Sequence, residues 1–217
     1  MPMNQDIRNF SNKYLEILKG ELAGLNLTRI LDEEEFFNKQ IVDSLIPYEN
    51  SKIFKRKLQE AKRMIDVGFG GGFPLVPLAW SEPGLNFVGF EARRKKADAV
   101  ALICERLGLN NVRPMHQRLE DVLIDRDCVI TFKAVGKIKD MLGLINVPHR
   151  TKVTVFFYKG PIEDDLSGLK MWKQISHEVF EVPGTEKRTL IGFESVPRGT
   201  LVRTKTNKIL VNASDFL

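Results

Sequence analysis

The chain has 217 residues, a net charge of +5 at neutral pH and a hydrophobic content of 43%, which suits one α/β domain with an extension. No apolar run approaches the length of a membrane span, and the stretch from Met1 to Phe10 lacks the apolar segment of a signal peptide. The sequence therefore favours a soluble cytoplasmic protein and excludes a membrane protein.

Cysteine and histidine residues are too few and too scattered for a metal site or a disulfide framework. Cys104 and Cys128 are the two cysteines, no Cys-x-x-Cys pair occurs, and the three histidines are far apart in the chain. Both cysteines are therefore predicted to be reduced, buried apolar residues, and no metal is predicted.

The first sixty residues are predicted to form a helical extension. Apolar side chains recur there at helical spacing, at Ile7, Phe10, Tyr14, Leu15 and Leu18. Thr28 or Asp32 is the expected N-cap of a following helix, which we expect to end at Pro47.

From Arg63 onwards the pattern alternates between strands and helices, which predicts a mostly parallel sheet with helices on both faces. Strands are predicted at 63–67, 86–91, 111–116, 127–132, 152–158, 176–182 and 189–196. Helices are predicted at 74–81, 92–107, 137–146 and 164–173. The last two of the seven strands are joined by six residues, too few for a crossover helix, so the final strand should be antiparallel.

A glycine-rich turn closes the first of these strands. Asp66-Val67-Gly68-Phe69-Gly70-Gly71-Gly72 lets the main chain bend without Cβ atoms, so a ligand has room against the backbone. Glu91 ends the next strand about 20 residues later, where nucleotide-binding folds have the carboxylate that holds ribose hydroxyls. An ordinary glycine-rich turn is the alternative, but the combination predicts a site for a nucleoside cofactor.

The residues after the glycines discriminate among cofactors. Phe73-Pro74 stands where a triphosphate-binding loop needs Lys-Ser or Lys-Thr. The dinucleotide fingerprint requires a third glycine at the position of Phe73. The remaining pattern, Asp-x-Gly-x-Gly-x-Gly, is similar to motif I of S-adenosylmethionine (SAM) methyltransferases.

Cofactors of such sheets bind beyond the carboxyl ends of the strands, which supply the remaining candidates. Glu91 is the choice for the ribose, although it also suits a helix-start charge. Arg118-Leu119-Glu120 follows the third strand, where adenine is expected, although a surface Arg–Glu pair is the alternative. The predicted cofactor-binding set is Asp66, Gly68, Phe69, Gly70, Gly72, Phe73, Glu91, Ala92, Leu119, Glu120 and Lys133.

Motifs that the sequence lacks limit the reaction. It has no Gly-x-Ser-x-Gly, no Asn-Pro-Pro-Tyr after the fourth strand and no Pro-Cys at a strand end. A purine ring nitrogen has a free lone pair and needs no general base, only orientation and a suitable charge environment. Lys133 and Lys159, at the ends of the fourth and fifth strands, are the predicted catalytic residues; snorkelling lysines are the alternative.

Three basic clusters point to a polyanionic partner such as RNA, although each cluster alone also suits a solvated surface. The first precedes the first strand, the second follows the second strand, and the third follows the last strand. Their members are Lys52, Lys55, Arg56, Lys57, Lys62 and Arg63; Arg93, Arg94, Lys95 and Lys96; and Arg198, Arg203, Lys205 and Lys208.

From Asn26 to about Val196 the chain resembles the bacterial RsmG (GidB) family, the 16S ribosomal RNA guanine-N7 methyltransferases. The shared motifs are Asn26-Leu27-Thr28, Asp43-Ser44-Leu45, the glycine motif through Pro74, Pro77-Leu78-Ala79, Asn111-Val112, Arg118-Leu119-Glu120, Ala134-Val135 and Lys159-Gly160. The chain departs from the family at Phe69 (Thr or Ser), Leu75 (Gly), Gln40 (His) and Lys133 (Arg). Lysine keeps the charge of arginine but lacks its planar fork.

The resemblance implies a Rossmann-like core with SAM as methyl donor and ribosomal RNA, or the small ribosomal subunit particle, as substrate. The chain is accordingly predicted to comprise a helical extension (1–60), a SAM-binding methyltransferase domain (61–196) and a basic tail (197–217). The implied reaction is methylation of guanosine N7. The alternatives are a methyltransferase of another substrate, and a SAM- or RNA-binding module with little turnover.

Overall fold

Seven strands form one sheet in the computed structural model, which describes residues 5–148, 150–160, 166–196 and 210–217. The strands are β1 (Arg63–Val67), β2 (Asn86–Glu91), β3 (Val112–His116), β5 (Cys128–Lys133), β6 (Val153–Lys159), β7 (Trp172–Phe180) and β8 (Arg188–Ser195), with β4 (Val122–Leu123) and β9 (Val211–Asn212) in a separate two-stranded sheet. The helices are α1 (Gln5–Lys19), α2 (Glu33–Phe36), α3 (Asp43–Asn50), α4 (Lys52–Ala61), α5 (Leu75–Ser81), α6 (Arg94–Leu107) and α7 (Ile138–Leu142).

The strand order of the large sheet is β3-β2-β1-β5-β6-β8-β7. β8 runs antiparallel to both of its neighbours, and every other pair in this sheet is parallel. This confirms the predicted mostly parallel, seven-stranded sheet whose final strand is antiparallel. The order reverses at β1, which lies between β2 and β5, and ligands of open α/β sheets bind in the crevice at such a point.

Each face of the sheet is covered by its own apolar core, because successive side chains of a strand point to opposite faces. Met64 of β1 belongs to the core that the N-terminal helices and α5 and α6 cover. Its neighbour Ile65 belongs to the core on the other face, together with α7 and the C-terminal residues. Cys104 and Cys128 are buried and unbridged, as predicted.

The N-terminal helices lie directly on the glycine-rich turn. The Tyr14 hydroxyl of α1 donates a hydrogen bond to the Gly71 carbonyl at 2.6 Å, and both groups are buried. Phe10 stacks on Trp80 of α5 with ring centroids 4.7 Å apart. The helices and the sheet therefore share one core, and the division of the chain at residue 60 stays a prediction.

The second helical stretch is longer than predicted. Asp32 caps it by accepting a hydrogen bond from the Glu35 N–H at 2.9 Å, so Asp32 rather than Thr28 is the N-cap. Pro47 was expected to end the stretch, but the helix continues to Asn50. A π-helical segment, Phe37–Val42, joins α2 to α3, and Pro47 lies inside α3.

Two other predicted elements differ from the structure. The predicted helix at 164–173 is wrong for its described part, because residues 166–171 are turns and β7 begins at Trp172. Gly168 has a φ of +76° there, which is incompatible with a right-handed helix. The helix predicted at 137–146 is shorter in the structure, where α7 covers only Ile138–Leu142 and Gly143 is its C-cap. Residues 161–165 lie outside the described part.

None of the helices in the described ranges combines the length and apolarity needed to cross a bilayer. The basic positions predicted at Arg198, Arg203, Lys205 and Lys208 lie outside the described residues.

Gly72 is predicted to be important for stability, whereas Gly84 is predicted to tolerate alanine. A Cβ on Gly72 would lie 2.3 Å from the Tyr14 hydroxyl and 2.9 Å from a Val76 methyl, and the φ of +95° disfavours any side chain. Gly72→Ala should lower the free energy of unfolding by about 3 kcal/mol, from overpacking and backbone strain together. Gly84→Ala, with nothing within 4 Å, should change it by under about 1 kcal/mol in the same urea titration. Equal stabilities would contradict this packing.

Candidate active site

The carboxyl end of β1 carries an open stretch of backbone. Gly68 and Gly70 have φ values of +70° and +55°, and both are partly exposed. The Gly68 N–H donates to the Phe90 carbonyl at 2.7 Å, which ties the turn to the end of β2. A Cβ on Gly70 would meet no atom closer than 3.9 Å, so the space above this residue is free for a ligand.

The other predicted members of the turn face the core. Gly72 is buried under Tyr14, and the Phe73 ring stacks on the Tyr14 ring at 5.2 Å. Phe69 is 2% exposed, and its ring covers Gly89, where a Cβ would lie 2.5 Å from the Phe69 Cδ1 atom. Phe69, Gly72 and Phe73 therefore shape the turn from inside, which leaves their backbone, not their side chains, for a bound cofactor.

Asp66 supports the turn from beneath and has no exposed surface. Its carboxylate accepts hydrogen bonds from the Thr131 hydroxyl at 2.7 Å and from the Leu75 N–H at 3.2 Å. Burial raises the pKa of Asp66 to about 7, against the opposing effects of these two bonds and of the Lys133 charge. Asp66 thus joins β1, β5 and the start of α5. Direct contact between Asp66 and the cofactor stays a prediction, and the complete burial of this side chain does not favour it.

Glu91 links the glycine turn to the start of α6. One carboxylate oxygen accepts the Gly70 N–H at 3.2 Å, and the other accepts the Arg93 N–H at 3.0 Å. Each oxygen keeps a free acceptor position. Ala92 follows at the exposed edge, and its carbonyl accepts a hydrogen bond from His116 Nε2 at 3.1 Å. The carboxylate is thereby fixed beside the open backbone of the turn.

The predicted adenine region follows β3. Leu119 is 2% exposed and packs in the core opposite the N-terminal helices. Glu120 lies at the surface, where it pairs with Arg118 at 3.4 Å. Asn146 Nδ2 lies within hydrogen-bond distance of the Glu120 and Val122 carbonyls, so the backbone of this segment is fixed independently of the ion pair.

Lys133, at the end of β5, lies in a mostly buried ion cluster. Its ammonium contacts Asp43 Oδ2 at 2.7 Å, and its side chain is 15% exposed. Arg188 of β8 donates through Nε to the other Asp43 oxygen at 2.6 Å. Burial lowers the pKa of Lys133, and the nearby Asp43 carboxylate opposes that shift. We call Asp43, Lys133 and Arg188 the ion cluster.

Lys159, at the end of β6, lies on the same edge of the sheet. Its ammonium donates to the Gly136 carbonyl at 2.7 Å. The segment after β5 turns sharply, with φ of +55° at Ala134 and +48° at Gly136. Val135, which lies between these two residues, packs closely against Gly68. A Cβ added to Gly68 would lie 2.8 Å from a Val135 methyl group. The two predicted catalytic lysines therefore flank a turn that touches the glycine turn.

Comparison with known proteins identifies the family. Residues 7–188 match the GidB model, described as rRNA small subunit methyltransferase G. The chain belongs to this family. A relative of that name from Solibacter usitatus is 33% identical over 150 residues, covering 69% of this chain and 68% of the relative. Another from Lactobacillus helveticus is 33% identical over 181 residues, covering 77% and 74%.

A solved structure supports the fold alone. The crystal structure of a mutant of MtNAS superposes with a TM-score of 0.51 at 17% sequence identity, covering 88% of this chain and 75% of that chain. The methyltransferase resemblance read from the sequence is thus confirmed by the GidB match, and the Rossmann-like sheet by the topology.

The structure shows what two residues of the motifs shared with the GidB family contact. Asp43 of Asp43-Ser44-Leu45 is the centre of the ion cluster, and Asn111 Nδ2 lies within 3.1 Å of three carbonyls at and after the end of α5. Asp43, Arg188 and Tyr14 had no predicted role in the site. Asp43 stood in a shared motif, which was a usable signal, whereas Arg188 and Tyr14 carried none.

The two described basic clusters differ in location and in pairing. Most of the first basic cluster lies on α4, which leads into the start of β1 and so approaches the amino edge of the sheet. Three of its members, Lys55, Arg56 and Lys57, form ion pairs with acidic residues. The second, Arg93 to Lys96, begins α6 beside Glu91 and forms no ion pair with any described residue. The described residues contain no group of three or more His, Cys, Asp or Glu side chains suited to a metal ion.

Asp66→Asn is predicted to change how stability depends on pH. A folded-state pKa near 7, above the ordinary 3.8, means that the folded protein binds a proton more tightly than the unfolded chain. This contribution to stability is complete below about pH 4 and is lost as the pH rises through about 7. The difference in unfolding free energy, wild type minus Asp66→Asn, should therefore fall between pH 4 and 7 in urea titrations. A difference that is constant with pH would contradict the assignment.

Proposed function

We propose that this protein transfers the methyl group of SAM to N7 of a guanosine in 16S ribosomal RNA. The observation that carries the proposal is the open backbone at Gly70 beside the fixed Glu91 carboxylate, at the switch point of the sheet, in a member of the GidB family. We infer that the reaction takes place in the cytoplasm, on the RNA or on the small ribosomal subunit particle.

The residues of the turn fit SAM better than a phosphate-containing cofactor. The free space at Gly70 accommodates a ligand against the main chain, and the two acceptor positions of Glu91 suit the two ribose hydroxyls. Ala92 and the segment Leu119–Glu120 are the proposed neighbours of the adenosine. When bound, SAM supplies an electrophilic methyl group on a positively charged sulfur.

Guanine N7 carries a lone pair and no proton, so the protein does not need a general base. Guanine presents O6 and N7 as two acceptors on the same edge. An ammonium that donates to O6 would orient N7 without competing for its lone pair. We assign this orienting role to Lys159, whose ammonium is already held at the strand end by the Gly136 carbonyl, and we assign Lys133 to the electrostatic environment of the nucleotide.

Gly70→Val tests the reaction and the cofactor site together. The branched side chain would fill the free space, so S-adenosylhomocysteine should bind at least tenfold more weakly in calorimetry. Gly108→Val is the matched control, because it has the same left-handed backbone (φ +71°) and open surroundings at the far end of α6. Both variants should lose similar stability from backbone strain, about 1–2 kcal/mol, but only Gly70→Val should lose the cofactor.

The activity is measured as single-turnover transfer of labelled methyl to small-subunit particles from cells lacking this gene, followed by mapping of N7-methylguanosine. Transfer by the wild type and by Gly108→Val, with loss in Gly70→Val, is the expected result. Methylation of a different RNA, a protein or a small molecule would redirect the substrate assignment. Tight cofactor binding without transfer to any of these would favour the binding module.

RNA is expected to contact the second basic cluster, Arg93 to Lys96 at the start of α6, rather than the first, which lies mostly on α4. Arg93, Arg94 and Lys95 are exposed, lie next to Glu91 and form no ion pair with described residues, whereas the α4 cations are largely neutralised at their surface. Four cations at a helix N-terminus also oppose the helix dipole, so the fold gains nothing from them.

Replacing Arg93, Arg94 and Lys95 by alanine should weaken binding of 16S RNA and flatten its dependence on salt, by about one unit of log–log slope per lost phosphate contact. The matched control replaces Lys52, Lys55 and Arg56, which removes the same charge from α4, and should leave the slope near that of the wild type. The measurement is a filter-binding titration at several salt concentrations. Equal losses in both triple variants would indicate a non-specific charge effect.

A further inference from the structure

We propose that Asp43 is a positioning residue, whose carboxylate fixes the Lys133 ammonium at the carboxyl edge of the sheet and keeps it protonated. This inference rests on the proposed function, because it assigns a task to Lys133 in the methyl-transfer site. It concerns a residue of the N-terminal helices, which also place the Ser44 hydroxyl 3.5 Å from the Lys133 ammonium.

The geometry of Asp43 suits a single task. The side chain is 1% exposed, and each of its oxygens binds one cation, Lys133 at 2.7 Å and Arg188 at 2.6 Å. Both cations come from strand ends at the carboxyl edge, because Lys133 ends β5 and Arg188 begins the antiparallel β8. The backbone next to Asp43 is fixed by the following residue, Ser44. The Ser44 hydroxyl donates a hydrogen bond to the Gln40 carbonyl at 2.5 Å, and the Ser44 carbonyl accepts one from the Tyr158 hydroxyl at 3.3 Å.

The charges of the cluster explain why the carboxylate is needed. Lys133 and Arg188 face each other across Asp43, so without it two cations would share a mostly buried space. Burial of an unpaired ammonium favours its neutral form. Asp66 is the other carboxylate that acts on Lys133, but it is itself buried and titrates near pH 7. Burial raises the pKa of Tyr158 well above its usual range, so that hydroxyl stays neutral.

Because residue 133 is a lysine and not an arginine, its charge itself depends on Asp43. An arginine remains charged in any protein environment, whereas a lysine shifts its pKa readily when buried. A chain with Lys133 therefore relies on Asp43 for the charge as well as for the position of the side chain. This gives Asp43-Ser44-Leu45 a chemical task in addition to its place in α3.

The experiment compares single-turnover methyl transfer at saturating SAM, from pH 6.5 to 9.5, in wild type, Asp43→Asn and Asp43→Asn/Lys133→Arg. Transfer by Asp43→Asn should fall by up to about tenfold per pH unit once the pH exceeds the lowered pKa of Lys133. The wild type should stay flat to a higher pH. The double variant should regain a flat profile, since arginine stays charged, even where its absolute rate is lower.

S-Adenosylhomocysteine affinity is the control for folding and should change less than about twofold in Asp43→Asn. If Asp43→Asn alone does not fold, the same profile is measured in Asp43→Asn/Arg188→Gln, which keeps the cluster at one net positive charge and leaves Lys133 without its carboxylate. Parallel profiles in wild type and Asp43→Asn, or failure of Lys133→Arg to flatten the profile, would overturn the inference. Absence of transfer by the wild type would instead refute the proposed function.

Discussion

The buried carboxylate of Asp66 is the interaction on which the rest of the site depends. It accepts one hydrogen bond from β5 and one from the first residue of α5, while its own backbone belongs to β1. The two oxygens of this one carboxylate therefore connect β1, β5 and α5 where these elements meet at the switch point. The glycine turn lies immediately after this junction, so its open backbone is supported by a fixed base rather than by the turn's own residues.

The N-terminal helices act on the same turn from the other side. Tyr14 binds the Gly71 carbonyl, and its ring also stacks on Phe73, so α1 closes the inner surface of the turn. Asp43 then connects α3 to the ends of β5 and β8. The N-terminal helices therefore contact both the glycine turn and the lysine-bearing edge of the sheet.

The sheet could be predicted well from the sequence because strand periodicity and short connections are local features. All seven strands of the large sheet were found, and β6 begins and ends within one residue of its prediction. The errors arose where tertiary contacts override local preference, as at Pro47 inside its helix, or where β7 replaces an expected helix at Trp172. The two-residue strands β4 and β9 are too short to leave any periodic pattern.

The site was predictable only where a residue type carries its own signal. The left-handed backbone of Gly68 and Gly70 and the strand-end position of Glu91 could be predicted, because glycine spacing and a carboxylate after a strand are visible in the sequence, while their contact with a cofactor stays a prediction. Phe69 and Phe73 were placed with them by adjacency, yet their rings pack inward, since a turn of alternating glycines leaves its larger residues to fill the core. The motif around Asp43 marked it as a candidate, but its pairing with both Lys133 and Arg188 was not predictable, because these residues are far apart in the chain and Arg188 lies 145 residues after Asp43.

The insertion of β8 between β6 and β7 has a consequence for biosynthesis. Most of the site's chain is synthesised early, yet β6 finds its second neighbour only when residues 188–195 have been added. Until then β6 is a long, apolar edge with unpaired backbone groups, of the kind that promotes association between nascent chains. The synthesis of β8 also completes the ion cluster, since Arg188 is the first residue of β8. The ion cluster can therefore be completed only after β8 has been synthesised, and a nascent chain that lacks β8 would have the glycine turn without this cluster.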